Sequence, residues 1–499
     1  MRPEPYLPVT YLQANAEATP NAPAVIDAER SLTFRELHQT VEGAADALRV
    51  NGLRPGDVAA VHLPNVWEHV VLELAIGALG AVVMPLPLTL GQAELREMLT
   101  RSRAALLLVP QGTEHAVAIA AGRPGVPQLD TREACRHRSL RRFPMLAPDP
   151  ARVVEIALTS GTTGLPKLAS LTAGLKQATF EGFTSRLDVQ AGDRVLAMSP
   201  LMQGIGGMCL LCLRKGAALV MLREPRFTAE HTLRVAAESG ATHLVGVPTN
   251  VIRMLDSPEL DHTPLTPRVT AVAGAPMPPD AARHWEEKTG SKVCIFYGSM
   301  DAGQLSVASP ADPPDKRWGS VGRPHDSCEA MICDPEGRPL PAGEIGEVCM
   351  RGPTVQERYW GESTGPLGPD GWAHMGDLGF LDEEGYLHVV GRLKDILIRG
   401  GTNINPYEVE AALRDHPAIA DVCVVGKSDR ELGERVMAFV VARAGAGVDL
   451  AALRDFMAVR QIARYKWPEF VELVDEIPLS GPGKVNRRAL RERAESSPC

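Results

Sequence analysis

Apolar residues along the first 300 positions keep two kinds of spacing. Phe34, Leu37, Val41, Ala44, Ala45 and Leu48 recur at helical intervals, so a helix with one buried face is predicted there. Residues 58–63, apolar except for His62, and the unbroken apolar runs 82–84 and 105–109 read as buried strands. The most apolar stretch, 70–90, carries Glu73, Pro85 and Pro87, which predicts a buried helix running into a strand and not a membrane span. Strands separated by helices imply a parallel α/β sheet. The same rhythm resumes over 154–296, with a buried strand expected at 153–158. From about Ser320 the pattern changes to short runs between Gly and Pro, as in PEGRPLPAGEIGEVCMRGP, which predicts a small β-rich unit. A compact α/β segment closes the chain, with a helix over 406–413 and strands over 422–425 and 436–441; its boundary is expected near 391–394. No internal repeat or low-complexity tract interrupts this order.

At 499 residues the chain has room for roughly three domain-sized units. Its 44% hydrophobic and 23% charged residues are ordinary for a globular protein. The net charge of -9 argues against nucleic acid as a partner, and no membrane partner is expected. Arg136, Arg138, Arg141 and Arg142 form a local basic cluster, read as a solvated loop. The start, MRPEPYLPVTYL, lacks a basic region followed by an apolar run, so a cytoplasmic location and reduced thiols are expected for the nine cysteines. Cys209 and Cys212 form one CxxC inside MCLLCL. Zinc would want a second pair, so core packing is expected. Only ten of the 52 basic residues are lysines, which directs attention to each of them.

The strongest chemical signal is TSGTTGLPK, with Thr159, Ser160, Gly161, Thr162, Thr163, Gly164 and Lys167. Glycines let backbone N–H groups approach an anion, hydroxyls donate to its oxygens and lysine adds charge, so this is a phosphate cradle by composition. It is not a Walker loop, because Pro166 and Leu168 stand where that loop needs Gly and Ser or Thr. With this loop the chain resembles the adenylate-forming enzymes: acyl- and aryl-CoA synthetases, stand-alone adenylation enzymes and luciferases. Their loop reads (S/T)SGTTGxPKG, and this chain matches through Lys167, then has Leu168 for the usual Gly. Further motifs follow in the family's order over nearly the whole chain.

The resemblance carries roles to matching positions. Gly274, Ala275 and Pro276 would line one face of adenine. Tyr297, Gly298, Ser299, Met300 and Asp301 stand where the family has YGxTE. Tyr297 would pack on adenine, Met300 replaces a phosphate-contacting threonine, and Asp301 replaces the glutamate that helps hold magnesium. In GWAHMGDLGFLDEEGYLHVVGRLKD, Asp377 resembles the ribose-binding carboxylate, Arg392 an arginine reaching ribose or phosphates, and Lys394 the hinge about which the C-terminal domain turns. Gly400 and Gly401 resemble the glycines flanking the thiol tunnel. Lys484, in PLSGPGKV, resembles the catalytic lysine that bridges the acid's carboxylate and the α-phosphate. Gln203 and Gly204, where relatives carry an aromatic followed by histidine, would border the acyl pocket with Gly298; Gln203 reads equally as a gate or as satisfied by backbone.

The implied fold is α/β. A large N-terminal domain of stacked α/β subdomains, 1–392, would include the β-rich unit at about 320–392, and a small mobile α+β C-terminal domain would span 393–499. The implied activity joins a small carboxylic acid to AMP from ATP with Mg2+, then transfers it to the thiol of CoA, or to carrier-protein phosphopantetheine with an acyl or aryl carrier protein as partner. A luciferase-like oxygenase and a non-catalytic nucleotide sensor are the readings from other classes. The closing stretch YKWPEFVELVDEIPLSGPGKVNRRALRE looks similar to aryl-acid adenylating enzymes, whereas RGGTNINP looks like CoA ligases, so a small aromatic or cyclic acid is expected.

Overall fold

The buried apolar runs assemble into two parallel sheets in the first part of the chain. The computed structural model describes residues 8–110, 126–138, 147, 149–159, 166–202, 204–223, 227–443, 445–481 and 484–497. One sheet has six strands in the order Gln128–Asp130, Leu106–Val109, Val58–Val61, Val82–Pro85, Val153–Thr159 and Lys167–Thr172. All neighbours pair parallel except the last, which is antiparallel. The other has nine strands; its central six, Lys292–Ser299, Val269–Val272, His243–Gly246, Arg194–Ala197, Ala218–Met221 and Pro23–Ile26, are parallel. Four-residue strands such as Val58–Val61, Val82–Pro85 and Leu106–Val109 are buried at every position, as parallel strands covered on both faces must be. Val153–Thr159 differs from the expectation: half of it is only partly buried, because it pairs with the antiparallel edge strand.

The helices follow the same logic. Phe34–Val50 starts at a capping box, with Glu36 N–H donating to Thr33 Oγ1 at 3.3 Å and Thr33 N–H donating to Glu36 Oε2 at 2.9 Å. Its buried face includes the six residues picked out by spacing, Phe34, Leu37, Val41, Ala44, Ala45 and Leu48. Such a cap contributes about 1 kcal/mol. The 70–90 stretch is the helix Trp67–Ala78 followed by the strand Val82–Pro85. Among the described residues no helix is long and apolar enough to cross a membrane. Cys209 and Cys212 are both buried and pack in the core, and burial pushes the Cys209 thiol up to about 12. The eight described cysteines are all buried. Arg141 and Arg142 of the basic cluster lie outside the described residues.

Compactness divides the chain into two units, Met1–Ala330 with Met350–His374, and Met331–Cys349 with Met375–Cys499. The second unit contains the turn Leu393–Asp395, so the 391–394 segment is internal to it. In this unit Asp377–Leu381, the end of the strand Ala373–Leu381, pairs antiparallel with Leu387–Arg392. A five-stranded sheet follows, in which Gly433–Ala442 lies between Ile419–Asp429 and Leu397–Arg399 and also pairs with Phe470–Leu473. The helices Pro406–Arg414, Leu450–Val459 and Arg487–Ser496 complete it.

Candidate active site

The phosphate-cradle signal falls on a hairpin. Val153–Thr159 and Lys167–Thr172 pair antiparallel, and Thr159 opposite Lys167 is the last pair before the loop. Ser160, Gly161, Thr162, Thr163 and Gly164 lie outside the described residues. Thr159 is 1% exposed, and its Oγ1 has no hydrogen-bond partner among the described residues. A buried hydroxyl left unpaired costs about 1–3 kcal/mol, which a ligand oxygen at this place would recover. Leu168, the departure from the family's Gly, is 1% exposed and packs with Ile156, Leu158 and Trp360. It therefore fills core behind the hairpin.

Lys167 is exposed and points to Tyr359, a residue the motif reading passed over. Its Nζ donates to the Tyr359 hydroxyl at 3.2 Å and stands 4.5 Å from the ring centre. The same hydroxyl donates to Asp301 Oδ1 at 3.3 Å. Gln356 Nε2 donates to the Asp301 carbonyl at 2.5 Å. Tyr359 is held in place by backbone: it forms a bridge with Ala169, and Trp360 N–H donates to the Leu168 carbonyl at 2.7 Å. The hydrogen bond that Lys167 donates to Tyr359 holds its ammonium above the usual range. Burial pushes the Tyr359 phenol up as well. Lysine, phenol and carboxylate thus form one chain, although 192 positions separate Lys167 from Tyr359.

The second group surrounds Tyr297. Lys292–Ser299 turns back into Gly303–Val307, with a register shift between Tyr297 and Gly298. A Cβ on Gly298 would lie 2.4 Å from the Gly303 carbonyl oxygen and 2.7 Å from Gln304 Cα, so only glycine fits. Ser299 Oγ accepts from Ala302 N–H at 3.0 Å and closes the turn that carries Met300 and Asp301. A Cβ on Gly204 would come 2.5 Å from Met300 Sδ, and one on Gly274 would come 3.1 Å from Ile205 Cδ1. The structure therefore gathers Gly204, Ile205, Gly274 and Met300. Ala275 and Pro276 continue the turn after Gly274, whose φ is +84°. Gln203 lies outside the described residues. Sequence reasoning also missed the pair behind this group: Gln304 Nε2 lies 3.9 Å from Met208 Sδ, and Gln304 Oε1 lies 3.1 Å from His325 Nε2. Both are buried. Burial lowers His325 to about 4, so its imidazole is neutral. Gln304 and Ser306, alternating polar residues in GQLSV that share one face, were the signal available.

The remaining residues belong to the second unit. Asp377 and Arg392 are directly opposed across two strands, with Arg392 Nε 3.2 Å from Asp377 Oδ1. Asp377 is buried and Arg392 half-buried. Lys394 is exposed in the turn Leu393–Asp395, and its carbonyl accepts from Arg491 Nη2 at 3.3 Å. Gly400 and Gly401 form the two-residue loop of the hairpin Leu397–Arg399 and Thr402–Ile404, with φ of +56° and +80°. A loop of this kind needs positive φ at both positions, which accounts for both glycines by conformation. Lys484 begins the short strand Lys484–Val485, paired with Leu479–Gly481; its side chain, with Pro482 and Gly483, lies outside what is described.

Comparison with known proteins gives this arrangement its relatives. Residues 12–360 match the family described as AMP-binding enzyme, and residues 408–484 match the AMP-binding enzyme C-terminal domain. A feruloyl-CoA synthase from an Amycolatopsis species is 34% identical over 96% of this chain and 97% of the relative. A Streptomyces protein described as salicylyl-CoA synthase / salicylate adenylyltransferase is 32% identical over 97% and 93%. The crystal structure of ATP-bound MatB from Rhodopseudomonas palustris superposes with a TM-score of 0.89 at 28% identity, covering 98% of this chain and 99% of that one. With the large domain and the small one both matched in order, and relatives aligned along nearly their full length, the chain belongs to the AMP-binding enzyme family.

Proposed function

We propose that this enzyme is an acid–thiol ligase that joins a small aromatic or cyclic carboxylic acid to AMP and passes the acyl group to CoA. The Lys167–Tyr359–Asp301 chain at the mouth of the hairpin, next to a Thr159 hydroxyl that has no partner among the described residues, is the observation that carries this reading. A triphosphate offers an oxygen to the Thr159 hydroxyl and charge for the Lys167 ammonium to meet beyond its bond to Tyr359, and Asp301 supplies a carboxylate for a metal–phosphate complex. The relatives described as feruloyl-CoA and salicylyl-CoA synthases support an aromatic acid.

A carboxylate is ionised at neutral pH, so the first step needs no general base. One carboxylate oxygen attacks the α-phosphorus of ATP; the bond to the β-phosphate breaks and pyrophosphate leaves. Lys167 and the hydroxyls of its loop hold the departing phosphates, while Lys484 neutralises charge growing at the α-phosphate. Asp377 accepts from the ribose hydroxyls and Arg392, already paired with it, steadies that carboxylate. Tyr297 and the small residues Gly274, Ala275 and Pro276 take the adenine. In the second step a thiol sulfur attacks the acyl carbon, AMP leaves with the acid's oxygen, and the thiol proton goes to solvent. Lys394 is the pivot between the two steps, and Gly400 and Gly401 border the thiol's approach.

Magnesium fits the residues present. Asp301 offers a partly buried hard oxygen, and magnesium is commonly held by one or two carboxylates together with substrate phosphates. Bound there, it would offset phosphate charge. The test is ATP–pyrophosphate exchange across aromatic, cyclic and short aliphatic acids, followed by thioester formation with CoA. Exchange driven by an aromatic or cyclic acid, with thioester on adding CoA, is expected. Exchange with none of the acids would contradict the reading; thioester only on a carrier protein would move the acceptor from CoA to its phosphopantetheine.

A further inference from the structure

Arg487 opens the helix Arg487–Ser496, just past Lys484. A cation in a first turn opposes the helix dipole, so local preference does not place it there. The hairpin carrying Lys484 has only two register pairs, Leu479 with Val485 and Gly481 with Lys484. So short a hairpin does not hold itself. What fixes it is the chain that follows. Asn486 N–H donates to the Pro478 carbonyl at 2.7 Å, and Asn486 Oδ1 caps the helix by accepting from Ala489 N–H at 3.1 Å.

The partly buried Arg487 guanidinium packs against three other elements of the same unit. Nη2 lies 2.7 Å from Glu410 Oε1 on the helix Pro406–Arg414. Nη1 donates to the Val424 carbonyl at 2.7 Å on the strand Ile419–Asp429. Nε lies 3.6 Å from Asp395 Oδ2 in the turn that holds Lys394. The guanidinium also stands 4.2 Å from the Tyr407 ring centre. Its partners are fixed in turn: Glu410 Oε1 accepts from Val424 N–H at 2.7 Å, and the Tyr407 hydroxyl donates to Asp395 Oδ2 at 2.9 Å. Burial opposes the charge on Arg487, but Glu410 and the surrounding groups more than offset it and raise its pKa.

We propose that Arg487 is a positioning residue: it seats the hairpin of Lys484 on the body of the second unit and ties it to the Lys394–Asp395 turn. The inference rests on the reading of Lys484 as the lysine of acid activation. The contacts of Arg487 among the described residues are to Glu410, Cys423, Val424, Asp395 and Tyr407, so its effect would pass through the placement of Lys484. A planar fork is required, because one ammonium cannot serve Glu410, Val424 and Asp395 together.

The test is a double-mutant cycle on the full chain, with single-turnover rates for both half-reactions. Arg487→Gln should slow acyl-AMP formation by roughly 10- to 100-fold, the scale of a misplaced catalytic group. Transfer from preformed acyl-AMP to CoA should change little. Arg487→Lys should fall between Arg487→Gln and wild type. Lys484→Ala/Arg487→Gln should be no slower than Lys484→Ala alone, because the two act as one. Losses that multiply, equal loss in both half-reactions, or no loss would overturn the proposal. If Arg487→Gln is not recovered folded, the same cycle with Arg487→Lys decides. Unchanged adenylation in Lys484→Ala alone would instead overturn the reading of Lys484, so the two failures are distinguishable.

Discussion

One hydroxyl, that of Tyr359, stands between Lys167 and Asp301, accepting from the first and donating to the second. Tyr359→Phe removes both hydrogen bonds and leaves the ring in place. A hydrogen bond to a charged group contributes about 1.5–3 kcal/mol, so kcat/KM for ATP in the exchange reaction should fall by tenfold or more with little change in Tm. An unchanged kcat/KM would mean that Tyr359 only packs. His325 sets a different test. Burial lowers it from 6.5 to about 4, with the Arg186 charge adding to the effect. Between those values the unfolded chain binds a proton that the folded chain does not, so stability should fall as pH drops from about 6.5 to 4 and level off below. The span corresponds to about 3 kcal/mol. Urea unfolding at several pH values should show that slope in wild type and lose it in His325→Asn; an equal slope in both would assign it to other groups. Neither Tyr359 nor His325 was legible as a site residue. Their partners are far away in sequence, and no local spacing encodes a contact made only by the fold. Thr159 and Lys167 were legible because their loop is contiguous.

Among the elements, the opposed pair Asp377 and Arg392 ties sequence pattern to geometry most closely. Two strands joined by a short turn place them directly across from each other, so each fixes the other's rotamer. Asp377→Asn keeps shape but loses the charge that Arg392 pairs with and that, under the proposed function, ribose hydroxyls would donate to. The ATP dissociation constant should rise by roughly 10- to 100-fold, corresponding to about 1.5–3 kcal/mol. An unchanged constant by calorimetry would make Asp377 a structural partner of Arg392 alone. Element types were readable from periodicity, but their ends were less so. The strand expected over 422–425 runs from Ile419 to Asp429, because its polar ends continue the ladder with Gly433–Ala442 where water covers one side. Backbone pairing, not apolar character, sets where such a strand stops. The glycine pair at 400–401 was recognised by motif, yet its immediate cause is the hairpin loop.

Across the whole molecule, the order of motifs carried most of the information. Alternating helices and buried runs in the first part, then short strands between turns, then a closing α/β segment correspond to the two parallel sheets, the antiparallel strands and the five-stranded sheet observed. The acid was not legible in the same way. The structure brings Gly204 against Met300 and Gln304 against Met208 from distant segments, contacts that no contiguous motif spells out as it does the phosphate loop. The central claim is that the acid's own oxygen ends on AMP. The enzyme should be given a substrate acid labelled with oxygen-18 in both carboxylate positions, with ATP and CoA, and the products read by mass spectrometry. One labelled oxygen in AMP and none in pyrophosphate is the predicted result. Label in inorganic phosphate, or AMP without label while thioester accumulates, would contradict the account.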